Sequence, residues 1–310
     1  MKVRTQRIKN SILFLVIFGI VLILFILWYR IFSPTKHIAE DITITATPVV
    51  RVGVGHPFLA NLVKEIGGTY VSVANIKEPS GIVESASDVC GDSVVLFGLN
   101  TTHDGWLQEL CGSNGEKTAV VFLDTYIGTT DQESTTTQKL FSGTDKGYYW
   151  MTTQGGKDMA RIIAKILSEF DPVHKVSYLD AAYNIAYQLD TVYGSVKDKM
   201  YNLRVSPVIV WGYGWQGVVG EYEGKIIKTI DTVQNNQDRE ASLKQIAEDL
   251  KKNKRMVVLG DLSLPFEDLK KLYRDGARRV VILDPWGDFS DVWPYKVFVE
   301  QNLLRMTQAL

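Results

Sequence analysis

Residues 49–74 read VVRVGVGHPFLANLVKEIGGTYVSVA, and this stretch decides the fold. Val49–Val54 is a short apolar β run. Pro57–Ile66 carries apolar residues at helical spacing, with proline in its first turn and Gly67-Gly68 just past its end, the pattern that starts and stops a short helix. Tyr70–Ala74 is a second β run. Ser93–Phe97 and Thr118–Leu123 repeat the strand signal further on. Strands alternating with helices predict a parallel sheet covered by helices on both faces.

Downstream, Thr125–Gly147 is polar and reads as a long surface loop. Two helical stretches follow, Gly155–Glu169 and Val173–Leu203, separated by Asp171-Pro172. The second places Leu179, Ala182, Tyr183, Ala186, Leu189, Val192 and Tyr193 at helical spacing and is long enough to run along two lobes. A second strand series then begins: Pro207–Trp211, Ile226–Ile230, Met256–Leu259 and Arg279–Leu283, with helices at Glu240–Lys252, Pro265–Arg274 and Trp293–Leu310. The expected fold class is α/β with two lobes, each a mostly parallel sheet flanked by helices, joined by a long linking helix and leaving a cleft between them.

Upstream, Asn10–Tyr29 carries no charge and Ile12–Trp28 is almost unbroken apolar sequence. About 20 helical residues span roughly 30 Å, the thickness of a bilayer core. Lys2, Arg4, Arg7 and Lys9 precede this run with no acidic residue among them, which places the N-terminus in the cytoplasm and the remainder outside. A cleaved signal peptide is the alternative. Its apolar region should be shorter and end at a small-x-small site, whereas this one ends Leu27-Trp28-Tyr29-Arg30. The expected layout is a cytoplasmic basic tail (1–11), a transmembrane anchor (12–31), a linker (32–48), an N-terminal α/β lobe (49–147), linking helices (148–204) and a C-terminal α/β lobe (205–310). The expected location is therefore the cell membrane, single-pass, with the folded part extracytoplasmic.

The chain has 34 basic and 35 acidic residues and a net charge of −1, without the basic excess of a nucleic-acid surface. Cys90 and Cys111 are its only cysteines. They read either as two small buried hydrophobes or as a disulfide, since both should lie near one edge of the N-terminal sheet and outside the cytoplasm a disulfide persists.

In open α/β sheets ligands bind beyond the carboxyl ends of the strands. That rule selects His56 after the first strand, Asn100 and His103 after the third, Trp211, Tyr213 and Trp215 at the start of the second half, then Asp261 and Asp284; Tyr148 and Tyr149 lie just before the long helices.

Several segments carry a family likeness. Ile66-Gly67-Gly68-Thr69-Tyr70-Val71, Ser87-Asp88-Val89, Val94-Val95-Leu96-Phe97-Gly98-Leu99, Trp106-Leu107-Gln108-Glu109-Leu110, Tyr149-Trp150-Met151 and Leu283-Asp284-Pro285-Trp286-Gly287 occur in an order and spacing that resemble the metal-type solute-binding proteins of ABC importers, the zinc and manganese binders. The likeness runs from Arg51 to about Leu303. It implies an anchored receptor that hands a divalent cation, zinc or manganese, to a membrane ABC permease. It also implies a metal site of two or three histidines with acidic residues drawn from both lobes.

Residue by residue, the chain departs from that site. Pro79–Glu84 lacks the first family histidine, Tyr148 stands at the second, and Trp211 stands at or beside the third. Asp261 is nearest the next ligand, and Asp284 keeps the last. Asp284, His56 and Asp261 are the expected metal ligands, because imidazole and carboxylate are the donors zinc and manganese take. Tyr148, Trp211, Tyr213, Glu84 and His103 are the expected lining of the cleft. Three glycines interleaved with three aromatics in Val210–Gly217 predict a loop that exposes its rings, which suits an organic ligand as the competing cargo. No Ser-His-Asp order, cysteine nucleophile or phosphate loop is present, so binding rather than catalysis is expected.

Overall fold

The computed structural model describes residues 50–78, 81–82, 86–112, 118–127, 147–230, 236–274, 279–287, 294–308 and 310. The basic tail, the predicted span at 12–31, the linker and Glu84 lie outside them. Among the described residues no helix is long and apolar enough to cross a membrane.

In the N-terminal half, β1 (Val50–Val54), β2 (Val71–Asn75), β5 (Val95–Gly98) and β6 (Ala119–Phe122) form one sheet in the order β2-β1-β5-β6. All its pairings are parallel: Val52, for instance, lies opposite Val73 on one side and Val95 on the other. A small antiparallel pair, β3 (Lys77–Glu78) with β4 (Gly81–Ile82), stands apart. Helix α1 (Pro57–Gly67) connects β1 to β2 and buries Phe58, Leu59, Leu62, Val63 and Ile66. Three short helices follow: α2 (Ala86–Asp92), α3 (Thr101–Asp104) and α4 (Trp106–Gly112). Cys90 lies in α2 and Cys111 at the end of α4; they are joined as a disulfide with Cα atoms 5.2 Å apart, in a small core with Ile76, Leu96 and Leu107.

The linking region departs from its expected form. The stretch Val173–Leu203 is not one helix. After α5 (Thr153–Phe170), a 3₁₀ turn at Pro172–His174 leads into α6 (Lys175–Val196), and a second 3₁₀ segment, Lys199–Val205, ends it. Pro172 enforces the first break because it lacks the N–H a continuing helix needs. Helices α5 and α6 pack along each other and against α1.

The C-terminal half contains β7 (Pro207–Trp211), α7 (Gln216–Glu221), β8 (Lys225–Ile230), α8 (Asn236–Lys252), β9 (Val257–Gly260), α9 (Phe266–Arg274), β10 (Val280–Ile282) and α10 (Tyr295–Gln308). Its sheet order is β10-β9-β7-β8, again parallel throughout. Taken in chain order, each half therefore has the same arrangement, with its first strand between its second and third. The main core joins both halves: Val52, Val54 and Leu62 share it with Leu189, Val208, Val210 and Leu303. A second core, on the other face of the C-terminal sheet, holds Ile209, Trp211, Leu243, Ile246 and Val258.

Candidate functional site between the halves

In each sheet the loops leaving the first and third strands run to opposite sides, which opens a crevice at their carboxyl ends. In the N-terminal half these are the loops after β1 and β5. His56 caps α1 in extended backbone, φ −144°, and Pro57 follows it, so the imidazole is directed away from the helix start rather than onto its N–H groups. Its Nε2 lies 2.8 Å from Asp104 Oδ1, where an Nε2–H donates to the carboxylate. Asp104 Oδ2 accepts the N–H of Leu99 at 2.6 Å. Both residues are buried. Burial pushes the Asp104 carboxyl upward, but the hydrogen bond and charge of His56, with the Leu99 N–H, outweigh it and hold the group below the usual aspartate range. Leu99 is held from its other side too, since its carbonyl accepts the Tyr149 hydroxyl at 2.8 Å.

In the C-terminal half the equivalent loops follow β7 and β9. Gly212 and Gly214 adopt φ of +79° and +103°, a region that side chains avoid, and they turn the chain sharply around Tyr213. Asp261 follows β9. Its Oδ2 accepts the Tyr148 hydroxyl at 3.1 Å, and its Oδ1 accepts the N–H of Ser263 at 2.8 Å as well as the Ser263 hydroxyl. Asp284 follows β10 and is buried; its N–H donates to the Asn302 side chain at 2.8 Å and its carbonyl accepts from it at 3.0 Å.

The segment Tyr148–Met151 lies between the two crevices. Tyr148 donates its N–H to the Gly214 carbonyl at 2.6 Å, and Trp150 donates its indole N–H to the Pro285 carbonyl at 2.6 Å. Around Tyr148, ring centroids of Trp215, Trp150, Trp286 and His103 stand at 4.9, 5.4, 5.7 and 6.4 Å. Trp286, from the C-terminal half, stacks on His56 at 5.3 Å and meets His103 edge-on at 4.9 Å. His56, His103, Tyr148, Asp261 and the loop that carries Asp284 are thus brought to one interface.

Three expectations are corrected. Trp211 does not line the cleft. It is 1% exposed in the second core, because residues alternate along a strand: Val208 and Val210 face the shared core, and Ile209 and Trp211 face α8 and α9. The glycine-rich loop does not expose its rings as a set; Trp215 is fully buried, its indole N–H on the Trp211 carbonyl at 2.9 Å, and only Tyr213, at 56%, faces solvent. His56, Asp261 and Asp284 do not form one ligand set. Among the described residues no group of three or more His, Cys, Asp or Glu side chains is placed to hold a metal ion. His56 Nε2 is instead engaged by Asp104, and both Asp261 oxygens are engaged by Tyr148 and Ser263.

Two contributors escaped sequence reasoning. Asp104 lies four residues past Asn100 and next to His103 in α3, just beyond the end of β5, so the rule that selected His103 extends to it. Trp286 stands inside the quoted Leu283–Gly287 motif, but nothing local indicates that its ring bridges two histidines.

With this geometry in place, likenesses to known proteins are informative. The family model for zinc-uptake complex component A, periplasmic, matches residues 52–309. The high-affinity zinc uptake system protein ZnuA of Brucella abortus is 25% identical over 162 residues, 51% of this chain and 48% of that protein, and the Brucella suis protein of the same name matches to the same extent. The chain thus spans about half the length of these curated relatives. Among solved structures, the laminin-binding protein Lbp of Streptococcus pyogenes superposes with a TM-score of 0.65 at 17% identity, over 84% of this chain and 99% of that one. The solute-binding protein FpvC of Pseudomonas aeruginosa in complex with Mn2+ gives 0.66 at 15% identity, over 84% and 97%. These two likenesses establish the fold. The family match extends over nearly the whole described fold, and the chain belongs to the zinc-uptake complex component A family of periplasmic proteins.

Proposed function

We propose that this chain is the membrane-anchored, extracytoplasmic solute-binding component of a metal-type ABC import system, taking its cargo in the crevice between the halves and presenting it to a membrane permease. The observation that carries the reading is the meeting of two equivalent strand-end crevices at Tyr148, with His56–Asp104 on one side and Asp261 on the other. Residues 12–31 supply the anchor, and the Cys90–Cys111 disulfide suits an oxidising compartment. The protein acts by binding rather than by catalysis.

The cargo expected from family membership is zinc or manganese. In the conformation described, His56 is paired with Asp104 and Asp261 with Tyr148, so a loaded site needs the Tyr148–Asp261 hydrogen bond to open. The test is a thermal melt of chelator-stripped protein. Ligand at 100 times its Kd stabilises by about 2.7 kcal/mol, so zinc or manganese should raise Tm by several degrees. A Tm unchanged at large excess of both ions removes metal as the cargo.

A second reading is favoured by the rings. His103, Trp150, Trp215 and Trp286 pack around the Tyr148 ring, and an aromatic or cationic organic ligand would bind by taking the place of that ring among them. Mass spectrometry of co-purifying small molecules, followed by tryptophan-fluorescence titration, decides between the cargoes. A chain that binds neither would act as a scaffold or sensor rather than in transport.

A further inference from the structure

The segment that carries Tyr148 is gripped at both ends by one stretch of the C-terminal half, residues 214–221. At its start Tyr148 donates its N–H to the Gly214 carbonyl, and its ring meets Trp215, the residue before α7, at 4.9 Å. At its end stands Glu221, the last residue of α7. One carboxylate oxygen of Glu221 accepts the Thr153 hydroxyl at 2.7 Å and the Gln154 N–H at 2.9 Å. The other accepts the Thr153 N–H at 3.2 Å. Between the two grips the 3₁₀ turn Tyr149–Met151 packs on α7.

Thr153 and Gln154 open α5, and the first N–H groups of a helix have no partner within it. The local cap is Thr152, whose hydroxyl accepts the Gly155 N–H at 2.8 Å. The two N–H groups ahead of Gly155 go to a carboxylate 68 and 67 residues away in the chain. A carboxylate suits that place, because a helix start carries partial positive charge, and hydrogen bonds to a charged acceptor are stronger than neutral ones. Burial pushes the Glu221 carboxyl above the usual glutamate range, against the bonds from Thr153 and Gln154 and the charge of Lys157. Glu221 thereby fixes α5 to α7 at the point where the chain leaves the crevice, and the Tyr148 hydroxyl stands on Asp261 at the other end of the same short segment.

We propose that Glu221 is a positioning residue of the cargo crevice: by clamping the start of α5 onto α7 it holds Tyr148 against Asp261 and so sets the affinity for cargo. The inference rests on the reading of the crevice between the halves as the cargo site. With the clamp loosened, Tyr148 leaves Asp261 more often, and the apparent affinity rises with the fraction of molecules whose site is open.

The test uses the full chain with Glu221→Gln, which keeps the side-chain length and removes the charge. Amide hydrogen exchange of the cargo-free protein is read residue by residue. The Gln154 N–H reports the clamp itself, and the Tyr148 N–H, held by Gly214, reports whether the loosening reaches the crevice. Both are expected to exchange about tenfold faster, the size that goes with losing a hydrogen bond to a charged group. Thr153→Val keeps the carboxylate and removes one donor; it should move both in the same direction by less, and it carries the test if Glu221→Gln does not fold. A faster Gln154 with an unchanged Tyr148 overturns the proposal and leaves Glu221 as a helix cap. Titration calorimetry with zinc and with manganese is the second arm. Glu221→Gln should tighten binding about tenfold in the wild-type background and leave it unchanged in a Tyr148→Ala background, where no ring remains to be held. An equal effect in both backgrounds overturns the proposal. If neither ion binds the wild-type chain, metal falls as the cargo, and the exchange result alone decides for or against the clamp.

Discussion

The two halves share a strand order and differ in what they place at the crevice. The N-terminal half holds a buried histidine–aspartate pair, with the aspartate further fixed by a backbone N–H. The C-terminal half turns its equivalent tryptophan into the core, projects Tyr213 outward between two left-handed glycines, and engages its aspartate with a tyrosine from the linking segment. Topology therefore constrains where a crevice forms, while the chemistry within it is set loop by loop. The comparison also shows why the donors are quiet in this conformation. In one half His56 is engaged by Asp104, and in the other Asp261 is engaged by Tyr148 and Ser263.

The contrast breaks most readily at the tryptophans. Trp215→Ala should cost about 4 kcal/mol, since it empties a fully buried site that supports Tyr148; the urea midpoint reads it. A loss near zero would mean that the C-terminal crevice is not packed as described. Next comes Asp104→Ala, which leaves His56 buried without its partner and should cost about 3 kcal/mol. The same residue predicts a pH dependence. Its folded pKa is depressed, so its contribution is fully present above the ordinary aspartate value near 3.9 and is lost as pH falls through the lower folded value. The stability gap between wild type and Asp104→Asn should narrow on acidification through that window, and a gap that widens would reverse the sign.

Smaller effects sharpen the comparison. Tyr148→Phe removes the hydroxyl that joins the linking segment to Asp261 while keeping the ring, and about 1 kcal/mol is expected. If the cargo site opens through that bond, the variant should also bind its ligand more tightly, which calorimetry measures. Tyr213→Ala should change stability by less than about 0.5 kcal/mol, because its ring is exposed. Loss of ligand binding in that variant, with stability intact, would make Tyr213 a contact to cargo or permease.

Much of this was legible in the sequence. The eight sheet strands fall within a residue or two of the positions expected from β runs and their glycine and proline boundaries, α1, α5, α9 and α10 start close to their predicted positions, and α8 starts one turn before its own. The placement of His56, His103, Asp261 and Asp284 at strand ends followed from the same pattern. The failures have separate physical causes. Trp211 was assigned to the cleft because it ends a strand, yet period-two alternation puts it on the helix-covered face; Ile209, two residues earlier, carries that signal. The helix expected from Val173 to Leu203 has continuous apolar spacing, but spacing cannot show where a helix relaxes into 3₁₀ turns.

Local composition determined the elements, their order and the two-part architecture, because hydropathy period and backbone restriction act over a few residues. It likewise determined the unbroken apolar run at 12–28, whose length matches a bilayer core. Which side chains meet was decided only by the tertiary structure. His56 reaches Asp104 across 48 residues and Tyr148 reaches Asp261 across 113, and hydrogen bonds of 2.8 and 3.1 Å depend on how loops of different strands are set against each other. That placement comes from packing of the shared core, to which both halves contribute and which no single segment specifies.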